Sequence, residues 1–439
     1  MTLDRRDFIK VAGAQAGVLL ALPGASPAEA AAPAILGSAT EVVVIGAGVF
    51  GAWTAFHLRR MGATVTLVDA YGPGNSRATS GDETRGIRSS YGTRETWVVW
   101  AKEAIKRWAE WDAEWSKPLK HRIFFPTGDI ILRTQEDSMI RDSRASWDKL
   151  GFKYEVLTPD EIRYRFPQIR SDGVGIGLYE PDAGVTRARR STQLVVDVFQ
   201  KEGGKLAIAK AAPGQQSGRR LSDLALENGS PLRGDVFVFA CGPWLGKVFP
   251  DVMGSRLRIP IGHVFYYATP PGDQRFTFPN CPSWNVPGCT GWPALGCDNR
   301  GFRVRTGGRP VQDPDTSVRW VDYRYHEAPR NVLAQWFPDL LKQPLLETRA
   351  CHYESSSGRN FIIDKHPEFD NVWIAGAGNA EAFKMGPVSG EYIAKRVLGK
   401  PTDPKLDAEF KIPENTYEAQ PGDVLRARRM GIAEIEELL

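Results

Sequence analysis

Cysteine is scarce in this chain: Cys241, Cys281, Cys289, Cys297 and Cys351 are the only five in 439 residues, irregularly spaced and without a Cys-x-x-Cys pair. A disulfide scaffold and a thiolate zinc site are thereby excluded. Histidine is nearly as sparse, with six residues and no HExxH pattern, so no metal is expected. Neither sign of charge prevails. The 56 basic and 52 acidic residues leave a net +4 diluted over the whole length, too little for an electrostatic footprint on nucleic acid. Long apolar runs are missing as well: Val11 to Leu22 would cover about 18 Å as a helix, against roughly 30 Å of hydrocarbon core, and no other segment comes near membrane length. No stable membrane span is expected. What remains is an ordinary globular composition, 42% hydrophobic and 25% charged, long enough for two domains whose core needs no covalent staples.

The short apolar run has another use. It follows Asp4-Arg5-Arg6-Asp7-Phe8-Ile9-Lys10 and precedes Ala28-Glu29-Ala30, which is the order of an arginine pair, an h-region and a small-x-small cleavage site. Residues 1–30 thus read as a twin-arginine signal, and the protein is expected to be exported already folded to the periplasm or the exterior.

Downstream, Glu41 to Ile45 is an apolar β-branched run followed at once by Gly46-Ala47-Gly48-Val49-Phe50-Gly51 and a helical pattern to Met61. Strand, glycine turn and helix form the dinucleotide-binding order. Gly46 permits the turn, Gly48 lets backbone N–H groups approach a pyrophosphate, and Gly51 lets helix and strand pack closely. A second strand, Ala63 to Val68, ends in Asp69, where a carboxylate can meet a ribose diol. The motif alone does not separate FAD from NAD. Further on, Trp97, Trp100, Trp108, Trp111 and Trp115 recur at helical spacing with Ala104 between them, which predicts a core stripe on one helix.

The loop after Asp69 is more specific. Its residues Thr84, Arg85, Ile87, Arg88, Tyr91 and Gly92 follow a GD-TR-x-I-R-x-x-YG pattern, with Thr79 and Ser80 just before. At the far end, Cys351-His352-Tyr353 leads to the strand Asn371 to Ala375, the turn Gly376-Ala377-Gly378 and then Ala382-Phe383-Lys384-Met385-Gly386-Pro387. Together these blocks resemble the FAD-dependent amine oxidases of the sarcosine oxidase type, within the glycine/D-amino acid oxidase (DAO) superfamily. The likeness covers residues 40 to about 400.

The resemblance implies an α/β protein: a Rossmann-like FAD-binding domain interleaved with an antiparallel-sheet substrate domain, the glutathione reductase-like or DAO fold. It assigns 40–105, 168–250 and 345–400 to the FAD domain, 106–167 and 251–344 to the substrate domain, and leaves 401–439 as a C-terminal extension. It implies FAD bound covalently through Cys351, with Gly46, Gly48, Gly51, Asp69, Thr79, Ser80, Arg85, Gly376 and Gly378 around it. Arg88 and Lys384 would hold a substrate carboxylate, while His263, in Ile259-Pro260-Ile261-Gly262-His263, is expected to face the pocket and tune amine protonation. In the family a lysine within Gly-x-Lys sits above the flavin and favours electron transfer to oxygen; here that segment reads Gly301-Phe302-Arg303. The implied reaction is hydride transfer from the α-carbon of a small-molecule amine or amino acid to FAD, giving an imine that hydrolyses, with oxygen or another acceptor taking the electrons. A dehydrogenase that avoids oxygen and a non-catalytic flavin-scaffold binding protein are the alternatives.

Overall fold

The computed structural model of the protein describes residues 39–119, 122–296 and 300–418. The expected signal at 1–30, Cys297 and the charged stretch 424–439 lie outside them. Glu41–Ile45 is buried along four of its five residues and pairs in parallel with Thr64–Asp69 on one side and Val236–Phe239 on the other. Continuous β-branched runs suit such a central position, since helices cover both faces of a parallel sheet. The full six-stranded order is Ile362–Lys365, Val372–Gly376, Val236–Phe239, Glu41–Ile45, Thr64–Asp69, Lys205–Ile208, with only the first strand antiparallel.

The helix Val49–Arg60 packs on Ala382–Val397 and on Ala188–Lys201. The first of these contacts is close because Gly390 lacks a side chain: a Cβ there would lie 2.4 Å from that of Trp53. Against this pair lies Glu95–Leu119, the helix that carries the tryptophan stripe. Trp97, Trp100, Trp108 and Trp111 are buried with Ala104, and Trp53 meets Trp108 and Trp111 at ring-centre distances of 5.5 and 4.9 Å. The stripe is core, as its period indicates.

The second sheet has eight strands in the order Leu345–His352, Pro260–Tyr267, Phe302–Val311, Cys289–Trp292, Ser283–Val286, Asp129–Arg133, Ile176–Glu180, Glu155–Leu157. All neighbours are antiparallel except Ser283–Val286 with Asp129–Arg133. Strand alternation divides its faces. Phe265, Tyr267, Phe302 and Val304 pack into a core with Leu333 and Trp336 of the helix Glu327–Trp336, leaving Gly262, Val264, Arg303 and Arg305 on the other side.

The architecture is the expected interleaved α/β arrangement, but three boundaries move. Helix Glu95–Leu119 runs through 105/106 and belongs to the core of the parallel sheet's helices, because its tryptophans pack there. Ile176–Glu180 and Leu345–His352, expected in the FAD domain, hydrogen-bond into the eight-stranded sheet. The described part of the extension is a packing arm: Phe410 is buried against Trp100, Phe361 and Tyr392, and Ile363 N–H donates to its carbonyl at 2.8 Å.

Candidate active site

A cavity of about 630 Å³ lies between the carboxyl ends of the parallel strands and the polar face of the eight-stranded sheet. Crevices at strand carboxyl ends are where open α/β sheets bind ligands. At one end stand the glycines. Gly46 has φ +101°, and a Cβ there would come within 2.3 Å of the Ala240 carbonyl oxygen; one on Gly51 would sit 1.8 Å from the Gly46 oxygen. Both are glycine because backbone occupies the space. Gly48 differs, since a Cβ would have only Ser80 Oγ nearby, at 3.5 Å, and would project towards the cavity. The start of helix Val49–Arg60 therefore opens on a cradle that a side chain would fill, an arrangement suited to a pyrophosphate. Ser80 Oγ accepts a hydrogen bond from Val49 N–H at 3.0 Å and fixes the helix start. Asp69 lines the cavity while accepting from the N–H groups of Ala47, Tyr71 and Gly72 at 2.7 to 2.8 Å. Burial raises its pKa against the pull of those bonds.

The opposite wall follows Val372–Gly376. Gly378 lines the cavity. Gly376, expected beside it, instead stands behind the wall, where a Cβ would meet Leu245 Cδ1 at 2.3 Å; it is a packing glycine and not a contact residue.

Deeper in, the loop Thr79–Arg85 folds under the sheet. Arg85 donates to the Thr79 and Thr84 carbonyls at 2.6 and 2.8 Å, pairs with Asp82, and reaches Cys351 Sγ at 3.4 Å. Cys351 lies on the edge strand opposite Gly262, lines the cavity, and has its thiol pKa raised by burial, with Arg85 opposing. Thr79 also lines the cavity, and its buried hydroxyl has no partner among the described residues. Arg303 is only 2% exposed. Its Nη2 donates to Asp82 at 3.1 Å and its guanidinium lies 3.8 Å over the Trp292 ring, while Nε and Nη1 are buried without a partner among the described residues. Burial would raise the Asp82 carboxyl, but Arg85 and Arg303 hold it well below the ordinary range.

Arg88 and Lys384 meet at the same end of the cavity. Lys384 Nζ donates to Tyr91 Oη at 2.5 Å and is ion-paired with Glu381, whose Oε2 also accepts from Tyr91 Oη at 2.7 Å. Burial pushes Glu381 upward, yet Lys384 and Arg88 bring it down to about 2. Lys384 is itself lowered, because loss of hydration outweighs the attraction of Glu381. Beyond Arg88 lies Asp129, which burial raises to about 6 against the pull of Arg88. His263 is not part of this group. Gly262 and Val264 face the cavity, so alternation turns His263 to the other side, where its ring packs 4.7 Å from that of Tyr325. The expectation that it faces the pocket is corrected by one residue of strand phase.

The profile of the DAO family, described as FAD dependent oxidoreductase, matches residues 41–396. The chain belongs to that family. Among curated proteins it is 25% identical over 371 residues to monomeric sarcosine oxidase from Bacillus sp. (strain B-0618), covering 83% of this chain and 93% of that one. It is likewise 25% identical over 387 residues to N-methyl-L-tryptophan oxidase of Salmonella dublin, covering 82% and 95%. Among solved structures, fructosyl peptide oxidase from E. terrenum superposes with a TM-score of 0.75 at 18% identity, covering 90% of this chain and 96% of that one. L-proline dehydrogenase from P. horikoshii gives 0.71 at 19%, covering 85% and 99%.

As a DAO-family oxidoreductase the chain must accommodate FAD, and three observations fit that group: the cradle at Gly48, the unpartnered Thr79 hydroxyl, and a cavity running on from both to Cys351 and Trp292. Sequence reasoning missed Glu381, Asp82 and Arg305. Glu381 stands three residues before Lys384, a helical pairing interval, and was legible from that spacing. Asp82 stands three residues before Arg85, with which it pairs, but its second partner Arg303 lies 221 residues away and left no local signal.

Proposed function

We propose that this DAO-family protein oxidises a primary or secondary amino acid, or an N-alkyl amine, at its α-carbon. When bound, FAD supplies the acceptor for the hydride that leaves that carbon. Arg88 offers a planar fork to the substrate carboxylate and Lys384 adds a compact positive charge, each charged hydrogen bond contributing about 1.5 to 3 kcal/mol. Trp292 and the polar sheet face exclude bulk water, which strengthens those contacts. The observation carrying this reading is the meeting of Arg88 and Lys384 at one end of a cavity whose other end is a dinucleotide cradle. Anaerobic mixing of the purified holoenzyme with amino acids and N-methyl amines tests it: bleaching of the flavin absorbance is expected. If no amine bleaches it, the chemistry is wrong and a non-catalytic binding scaffold is the better account.

Two finer features belong to the same reading. Cys351 would hold the flavin as a thioether at the 8α-methyl, its S–H and one C–H of that methyl giving way to a C–S bond with oxygen as the two-electron oxidant. Arg85, 3.4 Å from the sulfur, supports this by opposing the rise that burial imposes on the thiol. An intact mass equal to the bare chain after acid precipitation excludes the linkage. The protein is exported through the twin-arginine route, so replacing Arg5 and Arg6 by Lys strands it in the cytoplasm, and unchanged export refutes the signal. A second reading, a dehydrogenase with an acceptor other than oxygen, is favoured by Arg303. That guanidinium is tied to Asp82 and Trp292 where the family carries a lysine.

A further inference from the structure

The flavin-ring end of the cavity holds five cations, Arg85, Arg88, Arg303, Arg305 and Lys384, against three carboxylates, Asp82, Glu381 and Asp129, the last attracting Arg88 without a hydrogen bond to it. Asp82 is shared by Arg85 and Arg303, and Glu381 is taken by Lys384. Arg88 and Arg305 are left without an ion pair or hydrogen bond among the described residues. Arg305 lies two residues beyond Arg303 on the same strand face and beside Gly262, whose absent side chain leaves its guanidinium room: a Cβ there would stand 3.3 Å from Nη2. Arg303 and Arg85 repel it, Glu381 attracts it, and its guanidinium lies 5.7 Å from the centre of the Tyr353 ring. Arginine does not shed its proton to escape such a place. Arg303 adds two buried donors without partners on the same wall.

An unpaired cation held half-buried in a cavity wall, as Arg88 and Arg305 are, is costly unless a ligand completes it. The phosphates of FAD would not do so, because they would sit at the glycine cradle at the other end. We infer that the substrate carries two anionic groups, one received by Arg88 with Lys384 and the second by Arg305 with the free donors of Arg303. The substrate class is a dicarboxylic amine: an amino acid with an acidic side chain, or an amino acid whose nitrogen bears a carboxyalkyl group. This rests on the amine-oxidation reading and narrows it.

Non-oxidisable probes test the anion site apart from the chemistry. Glutarate and butyrate are titrated into the holoenzyme and followed by perturbation of the flavin spectrum. The wild type should bind glutarate at least about tenfold more tightly, the size of one charged hydrogen bond. In Arg305→Gln that ratio should collapse towards one, and in Arg305→Lys it should recover in part. Equal affinities in the wild type overturn the inference even if the variants fail to fold, and so does a ratio unmoved by Arg305→Gln. Anaerobic bleaching separates the two claims. Neutral amino acids that bleach as readily as glutamate and N-methylaspartate defeat the dicarboxylic class and leave amine oxidation standing. If no amine bleaches, amine oxidation fails, while the glutarate ratio still decides the anion site.

Discussion

Replacing Glu381 by Gln keeps the shape of the side chain and removes the charge that neutralises Lys384. In the folded protein this carboxyl titrates near 2, against 4.5 in its ordinary state. That fall corresponds to about 3 kcal/mol of stabilisation, since each factor of ten is worth about 1.4 kcal/mol. The sign follows from the direction: a depressed carboxyl stabilises the fold fully above pH 4.5 and less and less as the pH drops towards 2. Lys384 is pushed down as well, because its burial outweighs the pull of Glu381, so the carboxylate's figure bounds the pair's net contribution from above. The variant should therefore unfold up to about 3 kcal/mol more easily at pH 7, and the gap should shrink to about 1 kcal/mol at pH 3 as the wild type loses the same charge. Urea unfolding of both proteins at the two pH values measures it. A gap under about 0.5 kcal/mol at pH 7, the size of an ordinary surface substitution, or one that does not shrink on acidification, refutes the reasoning.

Gly51→Ala should abolish flavin retention, because its methyl would lie 1.8 Å from the Gly46 carbonyl and must displace the turn; a variant purified with full flavin absorbance contradicts this. Lys384→Ala should raise KM for carboxylated substrates far more than for their carboxylate-free amine analogues, and equal losses on both sink the clamp. Wild-type enzyme should react slowly with oxygen, and Arg303→Lys should quicken the reaction by restoring a compact ammonium. Stopped-flow mixing of the substrate-reduced protein with oxygen reads both rates, and a variant no faster than the wild type shows that position 303 is not the cause.

The nucleotide end was legible in the sequence because its parts are local. Gly46, Gly48, Gly51 and Asp69 lie within 24 consecutive residues, and each answers to a backbone constraint within one strand, turn and helix. The tryptophan stripe was legible for the same reason, as a helical period is a property of neighbouring positions. The family likeness extended that reading to Arg88, Cys351 and Lys384 as a set. Their charge balance was decided largely by tertiary structure, which brings Arg303 to Asp82 across 221 residues and leaves Arg305 without an ion pair among the described residues on the same wall. His263 shows the limit most sharply. Sequence placed it on the right strand, but which side of a strand faces a cavity depends on the phase at which that strand pairs with its neighbours, and a shift of one residue reverses every side chain.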